Sequence, residues 1–232
     1  MKQNIEIEVP QGFEAKYNPE TRVVEIVAKP QGNNNVFDYV DLGLPSGTLW
    51  ATCNIGANKP EECGDYFMWG SMVPNTNGIC DWAHDAFNNG ETKFNAAYFN
   101  GIKDDVCPNS GLIPSFDIVN KTMGGDWHMP TKEQFQELMD NTEVEWFDDW
   151  METGISGCLF KSINDDSKTL FFPNTGYRVG ENIYNKENCT YLWTKVLDNN
   201  YNMRAWHTCI GNNVCYTYGG LRCYGLAVRG VL

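Results

Sequence analysis

An α+β fold with short twisted antiparallel sheets, one or two helices and long irregular loops is what this sequence predicts. Three observations carry that expectation. Residues 127–146 hold the one clear pattern of a capped amphipathic helix. Residues 57–121 are rich in Asn, Gly and aromatic residues and show no sustained period. After Gly157, short apolar runs alternate with Asn, Asp and Gly turn residues, the mark of successive short strands. At 232 residues, 42% hydrophobic and 13% aromatic, the chain has material for one large domain or for a domain with a small appendage. Disorder is not expected at this apolar content.

In chain order, residues 1–35 read as a separate β-hairpin-like extension and linker. The runs IEIEV (4–8) and RVVEIVAK (22–29) alternate, residues 10–21 supply turn types, and PQGNNN (30–35) reads as a linker. Residues 36–232 form the main domain. Residues 36–56 offer two strand-like runs around Leu44-Pro45-Ser46-Gly47. A helix is expected somewhere in 88–100. The clearer helix opens at Thr131 as N-cap, with Gln134 at the third position to complete a capping box. Phe135, Leu138 and Met139 give it one apolar face, and Asn141-Thr142 ends it. Strands follow at CLFKSI, TLFFPN, YLWTKV, RAWHTCI, NVCYTY and YGLAVRGVL.

Charge narrows the function classes. Acids outnumber bases 30 to 17, for a formal charge of −13. Binding to nucleic acid is not expected, because neutralising phosphates needs clustered Lys and Arg. No apolar run of membrane-spanning length occurs, so membrane insertion is not expected. The first residues show no secretory h-region. The nine cysteines form no CxxC pair, so a zinc knuckle or thioredoxin-type site is not expected. They read as free, partly buried thiols.

Several short stretches resemble one family. These are Tyr39-Val-Asp-Leu-Gly-Leu-Pro-Ser-Gly-Thr-Leu-Trp50-Ala-Thr and Gly64-Asp-Tyr-Phe-Met-Trp-Gly70. Gly124-Gly-Asp-Trp127-His-Met-Pro130-Thr131-Lys-Glu133 and Leu170-Phe-Phe-Pro173-Asn-Thr-Gly176-Tyr177-Arg178 follow. Tyr191-Leu-Trp193-Thr194 and the closing Ala227-Val228-Arg229-Gly-Val231 complete the series. Together they are similar to the major paralogous domain first noticed in Fibrobacter and common in Bacteroidetes and their phages. The likeness spans roughly residues 36–232. It implies a C-type-lectin-like fold of the formylglycine-generating-enzyme subtype. It also implies kinship with the variable proteins of diversity-generating retroelements. In those, an error-prone reverse transcriptase rewrites adenines near the gene's end, and the varied side chains sit on a solvent-facing surface.

That mechanism leaves a mark in composition. Asn codons mutated at adenine yield fifteen residue types but never Lys, Gln, Glu, Met or Trp. Those five types make up 48 of the 232 residues, yet residues 207–232 contain none. The same window holds three of the nine cysteines, and no acid follows Asp198. Tyr-rich composition suits recognition, because Tyr gives rigid amphipathic contact area at low entropic cost. Within a variable region of about 190–232, the expected ligand-facing residues are Tyr201, Arg204, His207, Cys209, Asn213, Cys215, Tyr216, Tyr218, Arg222 and Tyr224. Alternation puts Trp206, Thr208 and Ile210 toward the core and His207 and Cys209 on the other face. Val228 and Arg229 read as scaffold, with Arg229 suited to a buried bidentate pairing.

No enzyme chemistry is expected. The resemblance brings to mind an oxidase with paired cysteines, but the residues around Cys209, Cys215 and Cys223 do not match its motif. His84 and His128 read as structural or surface residues. The sugar-binding motifs of calcium lectins do not occur, and paired Asp residues in turns read as solvated, so no metal or cofactor is expected. The expected partner is a protein or glycan on a host or competitor cell surface. The expected location is a virion or bacterial surface, with a monomer favoured. A fixed structural surface domain of the same family is the rival reading.

Overall fold

The computed structural model describes residues 13–18, 23–28, 37–75, 78–212 and 214–232. The chain divides into two compact units, Met1–Val36 and Phe37–Leu232. In the first, β1 (Phe13–Asn18) pairs antiparallel with β2 (Val23–Ala28). The strand expected at 4–8 lies outside the described residues. The partner of β2 is instead drawn from the segment read as turn. Its register sets Phe13 opposite Ala28, Ala15 opposite Ile26 and Tyr17 opposite Val24. Apolar types thus fall opposite one another on every second position, a pattern that the turn residues on either side concealed in the sequence.

The second unit is mixed α and β, with short antiparallel sheets and few helices. In chain order its elements are β3 (Tyr39–Val40), β4 (Trp50–Asn54), α1 (Ala96–Val106), α2 (Ile118–Met123) and α3 (Lys132–Asp140). There follow β5 (Thr142–Phe147), β6 (Gly157–Ser162), β7 (Thr169–Pro173), β8 (Tyr177–Val179) and β9 (Asn182–Tyr184). The last are β10 (Cys189–Leu197), β11 (Arg204–Gly211), β12 (Val214–Leu221) and β13 (Arg229–Val231). The sheets are β13-β4-β3, β5-β6-β7, β8-β9 and β10-β11-β12.

Helix α3 forms as its capping signals dictate. Thr131 Oγ1 accepts from Gln134 N at 3.2 Å, and Gln134 Oε1 accepts from Thr131 N at 2.9 Å. Phe135 and Leu138 are buried beneath it. Helix α1 starts later than expected, at Ala96, because Asn95 caps it by accepting from Tyr98 N at 3.0 Å. Pro108 stops it after Cys107. Helix α2 raises the number above the expected one or two. Its six residues are too few to show periodicity, and Asp117 caps it.

β10-β11-β12 is covered on both faces. Tyr191, Trp193 and Cys209 enter one apolar cluster with Trp69, Phe87, Phe99 and Val228. Leu192 and Ile210 enter the other with Trp50, Phe135, Phe160 and Val231. The quoted stretches meet in this core. Trp69 Nε1 donates to Thr194 O at 2.9 Å, and Trp193 Nε1 donates to Phe67 O at 2.8 Å. β13 returns to β4, setting Arg229 opposite Asn54 and Val231 opposite Trp50.

Arg229 is fully buried. Its Nε donates to Asn54 Oδ1 at 2.7 Å, and Nη1 donates to Ala51 O and Thr52 O at 3.0 and 2.8 Å. Nη2 donates to Phe171 O at 3.3 Å. A single guanidinium therefore ties the last strand to β4 and β7. Burial lowers its pKa to about 9, which leaves it charged at neutral pH.

Candidate functional site

The C-terminal strands frame a cavity of about 440 Å³. β11 supplies Arg204 and His207, and β12 supplies Tyr218, Gly219, Gly220 and Leu221. Tyr177, Asn185, Tyr191, Tyr224 and Leu226 complete the lining. Register places the rings that the sheet contributes. His207 lies opposite Tyr218, and Tyr191 lies opposite Cys209, so these side chains share one face of the sheet.

The aromatic rings form a continuous run. Tyr184 stacks on Tyr177 with centroids 5.6 Å apart, and Tyr177 contacts Tyr191 and Tyr224 at 4.9 and 5.7 Å. Tyr191 lies 5.9 Å from His207, His207 lies 4.1 Å from Tyr218, and Tyr218 lies 5.1 Å from Tyr216. Asn185 Nδ2 donates to the Tyr191 hydroxyl at 2.9 Å. Arg204 is exposed at the mouth, with its guanidinium 5.2 Å from the Tyr201 ring centroid.

Gly220 permits this packing. A Cβ there would lie 2.6 Å from His207 Cε1, so a larger residue would displace the imidazole. His207 is 4% exposed, and its Nδ1 has no hydrogen-bond partner among the described residues. Burial lowers its pKa to about 3, which keeps the ring neutral. Burial also raises the phenols of Tyr191, Tyr218 and Tyr224 above the ordinary tyrosine value. The rings of His207, Tyr191, Tyr218 and Tyr224 are therefore uncharged at neutral pH, and among the described residues Arg204 is the lining's one Lys, Arg, Asp or Glu.

Of the residues expected to face a ligand, Arg204, His207, Tyr218 and Tyr224 line the cavity. Tyr201 and Tyr216 are exposed beside it, at 58% and 50%. Asn213 lies outside the described residues. Three expectations are corrected. Cys209 is 1% exposed and packs within the core cluster, because this sheet is covered on both faces and alternation alone does not separate inside from outside. Cys215 is half-buried on the opposite face. It lies across from Ile210 and lines a second hollow with Val144, Trp146 and Cys158. Adjacent strand residues point to opposite faces, so Cys215 and Tyr216 do not share one.

Arg222 is fully buried rather than ligand-facing. Its guanidinium carbon lies 4.0 Å from the Phe99 ring centroid and within 6.0 Å of those of Trp69, Trp82, Phe87 and Phe94. Asp85 Oδ1 is 3.4 Å from its Nη1. Burial lowers the Arg222 pKa and raises that of Asp85, and each charge partly offsets the other's shift. Arg222 thus clamps the loop that carries Trp82–Phe94 against the end of β12.

Sequence reasoning missed Tyr177, Asn185, Tyr191 and the Gly219-Gly220 pair. Tyr191 and Tyr177 lie in stretches read for strands and the family likeness alone, and Asn185 lies in a turn between expected strands. The paired glycines late in a strand were the available signal, since strand glycine marks a close approach.

The nine cysteines are free thiols. Burial pushes Cys158, Cys209, Cys215 and Cys223 up to about 12. Among the described residues, no group of three or more His, Cys, Asp or Glu is placed to hold a metal ion. No described helix is long and apolar enough to cross a membrane. No family model, curated protein or solved structure matches this chain.

Proposed function

We propose that this chain is a non-enzymatic ligand-binding protein whose C-terminal strands carry the binding surface on a C-type-lectin-like scaffold. The carrying observation is the aromatic run from Tyr184 to Tyr216, which opens into a concave site rimmed by Arg204. Cavities of this size, with apolar walls and a few convergent polar groups, are the usual form of a ligand site. The scaffold reading draws support from Trp69, Trp193 and Arg229, which lie in resembling stretches and hydrogen-bond in the core to residues of other resembling stretches, Trp69 to Thr194, Trp193 to Phe67 and Arg229 to Ala51, Thr52 and Phe171. The non-enzymatic reading draws support from the raised thiols, since a nucleophilic cysteine needs a lowered pKa.

On this reading the surface is diversified by adenine mutagenesis, and the protein is a phage receptor-binding or virion-surface component. Tyr201, Arg204, Tyr216, Tyr218 and Tyr224 are the positions free to vary. The second reading, a bacterial surface domain of fixed sequence, is favoured by one observation. Cys209, Arg222 and Cys223 fall in the compositionally distinct stretch yet are buried.

The two differ in the genome. The first predicts a near-copy of the codons for about residues 190–232 beside a reverse-transcriptase gene, differing only at adenines. Its absence removes diversification and leaves the binding surface to be judged separately. For that, the labelled full chain is applied to a panel of intact bacterial strains and read by flow cytometry. Binding to some strains that is lost in Tyr218→Ala supports the surface. Equal binding by wild type and variant contradicts it.

A further inference from the structure

We propose that the aromatic cavity takes an acidic sugar, a saturated ring bearing one carboxylate and several hydroxyls. The proposal rests on the reading of the C-terminal strands as a binding surface.

Charge selects the sign of the ligand. Among the described residues no carboxylate lines the cavity, and Arg204 is its single charged residue. Among the described residues Arg204 forms no salt bridge, so its guanidinium is available. Asp198, 5% exposed, is not in that lining; it lies on the same side of Gly219 as Arg204, where an added Cβ would meet Asp198 Oδ2 at 2.8 Å and Arg204 Cδ at 3.5 Å. A cationic ligand would meet Arg204 with no counter-charge in the lining. The overall charge of −13 acts weakly here, because physiological salt screens exposed charges over about 8 Å.

The walls select the body of the ligand. Tyr177, Tyr191, Tyr218 and Tyr224 offer ring surfaces and hydroxyls, and the Asn185 amide, which donates to the Tyr191 hydroxyl, lines the same hollow. The His207 ring adds a buried Nδ1 without a partner among the described residues. A sugar ring presents apolar C–H faces and a polar rim, which matches apolar walls interleaved with polar groups. A flat aromatic acid would leave those groups dehydrated without partners. Arg204 at the mouth suits a carboxylate through two parallel N–H···O bonds.

The test titrates the ¹⁵N-labelled full chain with methyl β-glucuronide, the methyl glycoside of N-acetylneuraminic acid, and neutral methyl β-glucoside. Saturable amide shifts at Gly219, Gly220 and Asn185 are expected with at least one acidic sugar. The neutral glucoside is expected to bind about tenfold more weakly, as is that acidic sugar to Arg204→Gln, an exposed change that spares the core. Equal binding of acidic and neutral sugars, an unaffected Arg204→Gln, or no shift with either acid overturns the proposal. Periodate-treated cells separate it from the reading beneath it. Cell binding that survives periodate but is lost in Tyr218→Ala overturns the sugar and leaves the surface standing. Cell binding indifferent to Tyr218→Ala overturns the surface itself.

Discussion

His207 and Arg229 show how much one side chain does here. His207 is held neutral against Gly220, with its pKa lowered from 6.5 to about 3. Above pH 6.5 it is neutral folded and unfolded, so it adds no pH dependence. Below 6.5 the unfolded chain takes up a proton that the folded chain does not, and stability falls until pH approaches 3. Thermal unfolding across pH 7 to 4 is expected to show a steeper decline for wild type than for His207→Asn; parallel curves would mean the ring is not buried as described. Arg229→Met removes the donor to four acceptors, three of the bonds buried and the one to Thr52 O partly so. It is expected to cost about 3 kcal/mol or more, read as a lower urea midpoint. A loss below about 0.5 kcal/mol, the range of ordinary surface changes, would contradict its tying role.

At the scale of elements, legibility followed the strength of local signals. Helix α3 was readable because its cap, its third-position Gln and its apolar face agree at three, four and seven residue spacings. Removing the cap by Thr131→Ala is expected to cost about 1 kcal/mol, measured by denaturant unfolding. No change would mean the capping box is not formed in solution. The strands β6, β7, β10 and β11 were readable from apolar runs between turn residues. Helix α2 was not, being shorter than two turns, and β8 and β9 were not, having three residues each. The site was half legible for the same reason. Parity identified His207, and Tyr-rich composition Tyr218, but parity also put Cys209 outward on a sheet covered on both faces. Arg222 looked like a surface donor because nothing local announces a cage built by residues more than a hundred positions away. Hydrogen exchange should follow the packing. The buried amides of β11 are expected to exchange slowest, and those of the exposed β9 fast. Slow exchange throughout β9 in the free chain would contradict this ordering.

At the scale of the molecule, the second unit is a set of small sheets joined by a few long-range ties, with one face of β10-β11-β12 opening into an aromatic hollow. Cysteine placement tests that description. Cys53, Cys63, Cys189 and Cys215 are partly exposed, and Cys80, Cys107, Cys158, Cys209 and Cys223 are buried. A thiol reagent applied to the native chain, with sites read by mass spectrometry, is expected to label the first group well before the second. Early labelling of Cys209 or Cys223 would place them on the surface after all.

The central claim is that a fixed scaffold carries a permissive binding face. A saturation-mutagenesis library over residues 190–232, scored for protease resistance and for cell binding in parallel, tests it most directly. Substitutions at Tyr201, Arg204, Tyr216, Tyr218 and Tyr224 are expected to keep protease resistance while changing binding. Those at Trp193, Cys209, Arg222 and Arg229 are expected to lose protease resistance. If the first group loses its fold as readily as the second, or keeps both fold and binding, the account is wrong.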